Sequence, residues 1–67
     1  MRYDRAEVSW DAEQNSWLIR IQIGEEVIRR HCKASRDADD NALRSAAEET
    51  VREEGYDPAS GKIVIAR

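Results

Sequence analysis

A chain of 67 residues is long enough for one domain with a small core, since so short a chain buries only about 60% of the surface that its unfolded state exposes. A deep, enclosed catalytic site is therefore hard to build in it. Its 40% hydrophobic and 37% charged residues indicate a globular domain with a highly charged surface, and its formal net charge of -3 argues against a generic nucleic-acid binder.

The location of the protein is predicted from features that the sequence lacks. A single cysteine, Cys32, cannot form the internal disulfide that stabilises many small secreted domains. No apolar run approaches the roughly 20 residues of a membrane span, and no signal-peptide pattern opens the chain. We therefore expect one domain over residues 1–67, either cytoplasmic or recombinant without a native compartment, and no membrane partner.

Alternation of apolar and polar residues predicts three consecutive strands. The pattern runs through residues 3–10 and, more strongly, through 17–23, where a tryptophan and three isoleucines share one face. The polar segment 11–16 connects these two strands. Gly24 at the first central position suits a two-residue type II′ turn, and the third strand then covers 26–34.

The turn lengths predict how the three strands pair. They place Ile21 opposite Ile28, Arg20 opposite Arg29, Leu18 opposite His31, Trp10 opposite Trp17, Val8 opposite Ile19 and Glu7 opposite Arg20. One face of this antiparallel meander is apolar and the other polar, since successive side chains of a strand point to opposite faces. Arg30 alone falls on the apolar face, where it would reach past the helix to water or be turned outward by a bulge.

A helix is predicted after the third strand. Ser35 and Asp37 are suitable N-caps, apolar residues recur at helical spacing between Ala38 and Val51, and Gly55 is a natural residue to end the helix. Most of the apolar positions are alanine, so helix and sheet can approach closely.

A turn and a final strand complete the predicted βββαβ order of this α+β domain. The segment 57–61 reads as a type I turn, with Pro58 at its second position and Gly61 in the left-handed conformation. The strand 62–67 is apolar on both faces, so we expect it to be covered on both sides or to lie at an edge that meets another copy. A right-handed return would place it parallel to the third strand or beside the first.

No residue pattern predicts catalysis, a metal site or a cofactor. His31 and Cys32 are adjacent in a strand and therefore point to opposite faces, so they cannot chelate one ion together. The three glycines are isolated at turns and form no phosphate-binding loop. The two tryptophans could form a stacking platform for a base or a small ligand, but their phase with Ile19 and Ile21 favours a place in the core.

The polar face of the meander carries the only candidate site, a set that we call the basic row: Arg5, Arg20, Arg29, His31 and Lys33. Residues 1–36 hold seven Lys/Arg and six Asp/Glu, whereas residues 37–67 hold four and eight, so the acidic excess lies behind this face. One interpretation is a solvated network in which Glu7 neutralises Arg20 beside Arg29. The alternative is an anion-binding surface, with duplex DNA as the polyanion.

The segments VSWDAEQNSWLIRIQIGEEVIRR and ALRSAAEETV, within residues 8–51, resemble a known arrangement of three strands and a packed helix. It is that of the DNA-binding domains of plant ethylene-response factors and of the amino-terminal domains of phage-type integrases. The resemblance implies DNA contacts from the exposed sheet face, and Arg20 and Arg29 are the positions that correspond. The chain departs from that family in its first strand, which lacks the family's arginines, in its net acidity and in its extra strand.

The sequence therefore leaves two classes of function open. The first is a small non-catalytic module, either a designed or stand-alone scaffold without a ligand or an interaction domain. The second is nucleic-acid binding through the basic row. Expected partners are a nucleic acid, another acidic molecule, or a second copy that contacts the last strand.

Overall fold

The computed structural model describes residues 2–66, and its elements follow the predicted βββαβ order. The strands are β1 (Arg5–Asp11), β2 (Ser16–Ile23), β3 (Glu26–Cys32) and β4 (Lys62–Ala66), and the helix α1 covers Asp40–Glu53. A single 3₁₀ turn, Pro58–Ser60, precedes β4. The domain is α+β, as predicted, and no helix in residues 2–66 is long and apolar enough to span a membrane.

The first three strands form an antiparallel meander in the predicted register. Every pair expected from the turn lengths is present, from Trp10 opposite Trp17 to Ile21 opposite Ile28. Gly24 takes a positive φ of 60° and Glu25 does not, which is the combination of a type II′ turn. Asn15 takes the left-handed conformation at the end of the other connection, with φ 52°.

The last strand lies beside the first, so the sheet order is β3-β2-β1-β4. β4 runs parallel to β1, with Arg5 opposite Lys62 and Ser9 opposite Ala66. This placement selects one of the two predicted positions, and it leaves β4 at an edge. The predicted strand also included Arg67, which lies outside the described residues.

The helix α1 packs on the apolar face of the sheet, as predicted. Trp17, Ile19 and Ile21 are buried on β2, and Leu43 is buried on α1. The remaining buried residues are Tyr3, Ala6, Val8, Ala47, Val51 and Ile63. The alternation does not predict the burial of Tyr3, because Tyr3 is out of phase with Ala6 and Val8; the strand begins at Arg5, two residues later than predicted.

The helix begins later than the sequence predicts. Asp39, not Ser35 or Asp37, is the N-cap, since its carboxylate accepts a 2.8 Å hydrogen bond from the Ala42 amide. Ser35 instead forms a separate turn, in which its hydroxyl accepts from the Asp37 amide and its carbonyl accepts from the Ala38 amide. Capping residues within reach of one another compete, and geometry selects the one whose oxygen meets a free helical amide.

The two glycines near the carboxyl end of the chain, Gly55 and Gly61, are required for different structural reasons. Gly55 adopts a positive φ of 92° and ends α1, with its amide bonded to the Arg52 carbonyl and the Tyr56 amide bonded to the Val51 carbonyl. This is a Schellman motif, as its position predicts. Gly61 does not take the predicted left-handed conformation, since its φ is −138°. It is required because a Cβ there would lie 2.5 Å from the Tyr3 carbonyl oxygen.

Arg30 reaches past the helix rather than leaving through a bulge. It pairs in register with Ile19 on the core-facing side of the sheet. Its guanidinium extends to the C-cap of α1, where Nε and Nη2 contact the two carboxylate oxygens of Glu54 at 3.2 and 3.1 Å. The apolar stem thus covers the core edge while the charged group stays exposed.

Candidate functional site

One face of the sheet has no helix packed on it among residues 2–66, because α1 lies on the other. We call this the uncovered face. The strand pairing places Glu7 and four members of the basic row, Arg5, Arg20, Arg29 and His31, on this face. Its other members are Ser9, Asp11, Ser16, Leu18, Gln22, Val27, Lys62, Val64 and Ala66. Val27, with 42% of its surface accessible, is the only exposed large hydrophobic residue among those described.

A shallow depression of about 180 Å³ lies on this face at the turn end of the β2–β3 hairpin. Its lining residues are Arg5, Glu7, Arg20, Gln22, Val27 and Arg29. Arg5 comes from β1, Arg20 from β2 and Arg29 from β3, so three neighbouring strands each contribute one guanidinium. The strand pairing alone is sufficient to bring them together, since Arg20 is opposite both Glu7 and Arg29.

Glu7 is the carboxylate around which two of these arginines gather. Its Oε2 lies 3.0 Å from Arg5 Nη2, and its Oε1 contacts Arg20 Nη2. The Glu7 side chain is only 18% accessible, so water hydrates its carboxylate incompletely. The two guanidinium groups neutralise the charge that water does not stabilise. The predicted link from Glu7 to Arg20 is thus present, and Arg5 takes the second carboxylate oxygen.

Arg29 stands apart from this arrangement. It is exposed, it lies directly opposite Arg20, and its side chain has no ion pair or hydrogen bond within residues 2–66. Of the predicted network of Glu7, Arg20 and Arg29, only the pair of Glu7 and Arg20 is therefore formed. An unpaired guanidinium beside a compensated one retains its donors for an external acceptor.

The other two members of the basic row lie away from the depression. His31 is opposite Leu18 and lies two residues beyond Arg29 on β3. Its Nε2 lies 3.1 Å from Asp11 Oδ2. Lys33 follows the end of β3 and is exposed. The five predicted residues therefore form a group of three around the depression and a separate pair near the opposite end of the hairpin.

Asp11 is held in its ionised form by its neighbours. The hydrogen bond with the His31 side chain is the largest cause that lowers the pKa of Asp11. The Gln14 and Glu13 amides also donate to its carboxylate. This carboxylate joins β1 to β3 across β2, because its partner His31 is two strands away.

Lys62 was missed as a member of the uncovered face. It is exposed and lies opposite Arg5, which extends the positive charge onto β4. The sequence does not predict this contact, because it allows two positions for β4 in the sheet. The same placement brings Val64 next to Glu7 and adds an apolar residue to the face.

The two tryptophans lie on the opposite face and belong mainly to the core. Trp17 is 3% accessible and its indole nitrogen donates to the Ser35 carbonyl at 2.8 Å. Trp10 packs edge-on against it at a centroid distance of 5.3 Å, and the Arg36 guanidinium lies 4.8 Å from the Trp10 ring centre. These two rings, Arg36 and Asp37 line an open groove of about 270 Å³, in which the Arg36 guanidinium already lies over the Trp10 ring.

The chemistry available on these surfaces is binding through charge. His31 points to the uncovered face, while Cys32, opposite Trp17, lies on the core side. No group of three histidine, cysteine or acidic residues with metal-binding geometry occurs within residues 2–66. The guanidinium groups around the shallow depression can bind an anion through charge and through hydrogen bonds from their planar donors.

Comparison with known proteins gives no relative on which a function could be based. No protein-family model matches the chain, and neither the curated proteins nor the solved structures contain a significant match.

Proposed function

We propose that this chain is a non-catalytic interaction module and that an acidic partner binds its uncovered face. The observation that carries the proposal is the unpaired Arg29, which lies opposite Arg20 on the rim of the depression. Like charges directly opposite each other on neighbouring strands destabilise a sheet by a few tenths of a kcal/mol to about 1 kcal/mol. An external anion between the two arginines would remove this repulsion.

The distribution of charge supports the same surface. Within the strands, four basic residues lie on the uncovered face against two acidic residues: Arg5, Arg20, Arg29 and Lys62, against Glu7 and Asp11. The chain as a whole has a net charge of −3, and α1 carries four acidic and two basic residues. The dipole that results directs an acidic partner toward the sheet and away from the helix.

A nucleic-acid duplex is the candidate partner to test first. Guanidinium groups present planar donors that match phosphate oxygens, and strands can enter the major groove. The resemblance of residues 8–51 to three-stranded DNA-binding domains points to the same face, through Arg20 and Arg29. The acidic helix opposes binding at long range, so we expect weak affinity that falls steeply with salt.

Titration with a short DNA duplex at low salt, followed by the amide shifts of the protein, tests this proposal. We expect the largest shifts in β1, β2 and β3 around the depression. Arg20→Ala and Arg29→Ala should each weaken binding and each reduce the slope of log affinity against log salt by about 0.9 for every phosphate that the variant no longer neutralises. Arg44→Ala, which removes an exposed charge from α1, is the matched control and should change binding little.

The outcomes separate three cases. Equal weakening by Arg44→Ala and Arg29→Ala would mean that only net charge matters, which contradicts a site on the uncovered face. Shifts of the same face with an acidic peptide but none with the duplex would assign an acidic protein surface as the partner. If neither ligand shifts any residue of the face at millimolar protein, the chain is a scaffold without a ligand and the proposal fails.

A further inference from the structure

We propose that β4 pairs with β4 of a second copy, so that two chains form one continuous eight-stranded sheet. This inference goes beyond the proposed function, since it requires no other ligand. It starts from the sheet order, which places β4 at one edge and β3 at the other. An edge strand presents unpaired backbone groups, and proteins commonly protect such edges with charge or with covering segments.

The two edges of this sheet differ in their protection. β3 carries Glu26, Arg29 and Arg30, and the Arg30 side chain crosses to Glu54 of the helix. β3 paired with itself around Arg29 would also set two arginines directly opposite each other. β4 has the sequence Lys-Ile-Val-Ile-Ala, in which Lys62 is the only charged residue.

The backbone of β4 identifies which groups are free. The Lys62 amide donates to the Asp4 carbonyl at 3.4 Å, so the backbone groups of Lys62 point toward β1. Backbone groups of successive strand residues point to opposite sides, which turns the amide and carbonyl groups of Ile63 and Ile65 toward the open edge. Four hydrogen-bonding groups are therefore available, two donors and two acceptors.

An antiparallel pairing of β4 with itself uses all four of these groups. When Val64 lies opposite Val64 of the second copy, Ile63 and Ile65 face each other as hydrogen-bonded pairs on both sides of the two-fold axis. Lys62 then lies opposite Ala66, so no like charges meet. The valines form a close β-branched pair on the uncovered face, and the isoleucines meet on the helix side.

This geometry also determines how the two uncovered faces are related. The two-fold axis is perpendicular to the sheet, so both helices lie on one side and both uncovered faces on the other. The two depressions would belong to one surface, with Lys62 of each copy near the seam. Five residues of strand bury a small interface, so we expect dimerisation that depends on protein concentration.

Sedimentation equilibrium of the full chain from micromolar to millimolar concentration tests the dimer. We expect the apparent mass to rise from the 7.7 kDa of one chain to about twice that value. Val64→Lys places two ammonium groups opposite each other at the axis and should abolish the rise. Val27→Lys adds the same charge to the uncovered face at the other edge strand and should leave the rise unchanged.

A mixed sample of the unaltered protein, half labelled with ¹³C and half unlabelled, identifies the interface even where a variant folds poorly. Facing α-protons of a pair without hydrogen bonds lie close together, so we expect an intermolecular contact from Val64 to Val64. A mass of one chain at all concentrations at which the protein is folded would overturn the proposal. Association that survives Val64→Lys, or intermolecular contacts confined to β3, would overturn it as well.

Discussion

Tyr3 shows how a single side chain joins the two ends of this small domain. Its hydroxyl donates to the Pro58 carbonyl at 2.7 Å, and its ring lies against the backbone of Gly61. Burial is the largest cause of the raised pKa of Tyr3, followed by the charges of Glu48 and Asp57. The contact holds the segment before β1 on the turn before β4, which aligns the parallel pair.

Gly61→Ala should destabilise the protein because the space for a Cβ is already filled. The added carbon would lie 2.5 Å from the Tyr3 carbonyl oxygen and 2.7 Å from its ring. We expect a loss of about 1–3 kcal/mol in the free energy of unfolding, which is typical of overpacking, measured by urea denaturation. Ala59→Ser is the control, since it adds one atom at an exposed position in the same turn. Equal stability of Gly61→Ala and the unaltered chain would show that the two segments separate readily.

The helix α1 is an element whose ends depend on different kinds of contact. The position of its carboxyl end is determined by local sequence, since Gly55 provides the left-handed residue that the chain needs there. Its amino end lies in a segment with three candidate caps within five residues: Ser35, Asp37 and Asp39. The Ser35 carbonyl accepts a hydrogen bond from Trp17, which holds this part of the segment at the sheet and leaves Asp39 to begin the helix.

Asp39→Ala should shorten or weaken α1 because it removes the acceptor for the Ala42 amide. We expect a loss of about 1 kcal/mol in the free energy of unfolding, within the range of 0.5–2 kcal/mol for N-cap replacements. Asp37→Ala removes the same charge two residues earlier and should cost clearly less. Circular dichroism at 222 nm during urea denaturation measures both. A larger loss for Asp37→Ala would mean that the helix begins earlier in solution.

At the scale of the whole molecule, charged side chains on the uncovered face link the strands of the meander to one another. Asp11 of β1 and His31 of β3 meet across β2. Arg5 and Arg20 share Glu7 across the β1–β2 pair. Such exposed pairs contribute little to stability individually, so their role is to orient charged groups rather than to hold the fold.

Acid should weaken the fold in part through Asp11. Its pKa is lowered from the ordinary value of 3.8, so the folded state favours its ionised form, and this contribution is present above that value and lost as the pH falls through the lowered pKa. His31→Ala removes the largest cause of the shift. We expect the carboxyl ¹³C titration of Asp11 to move to higher pH in this variant. An unchanged midpoint would mean that the His31 contact is absent in solution.

The sequence predicted most of the fold but only part of the candidate site. The registers of the meander were correct because alternation and turn length act over a few residues, and a shift by one residue would expose Ile19 and Ile21. The arginine group followed from the same registers. The pair of His31 with Asp11 did not, because it joins two strands that are not neighbours in the sheet.

The sequence by itself therefore determined the elements, the meander, the helix-facing side of the sheet and the pairing of Arg20 with Arg29. Only the tertiary structure decided the position of β4, the choice of Asp39 as cap and the reason for Gly61. These features depend on contacts between distant residues, such as Tyr3 and Ser60, which are 57 positions apart. A strand that is apolar on both faces carries no alternation to indicate its neighbour. The position of β4 in the sheet depends on how Ile63 and Ile65 pack against the rest of the core, and a local sequence pattern does not predict that packing.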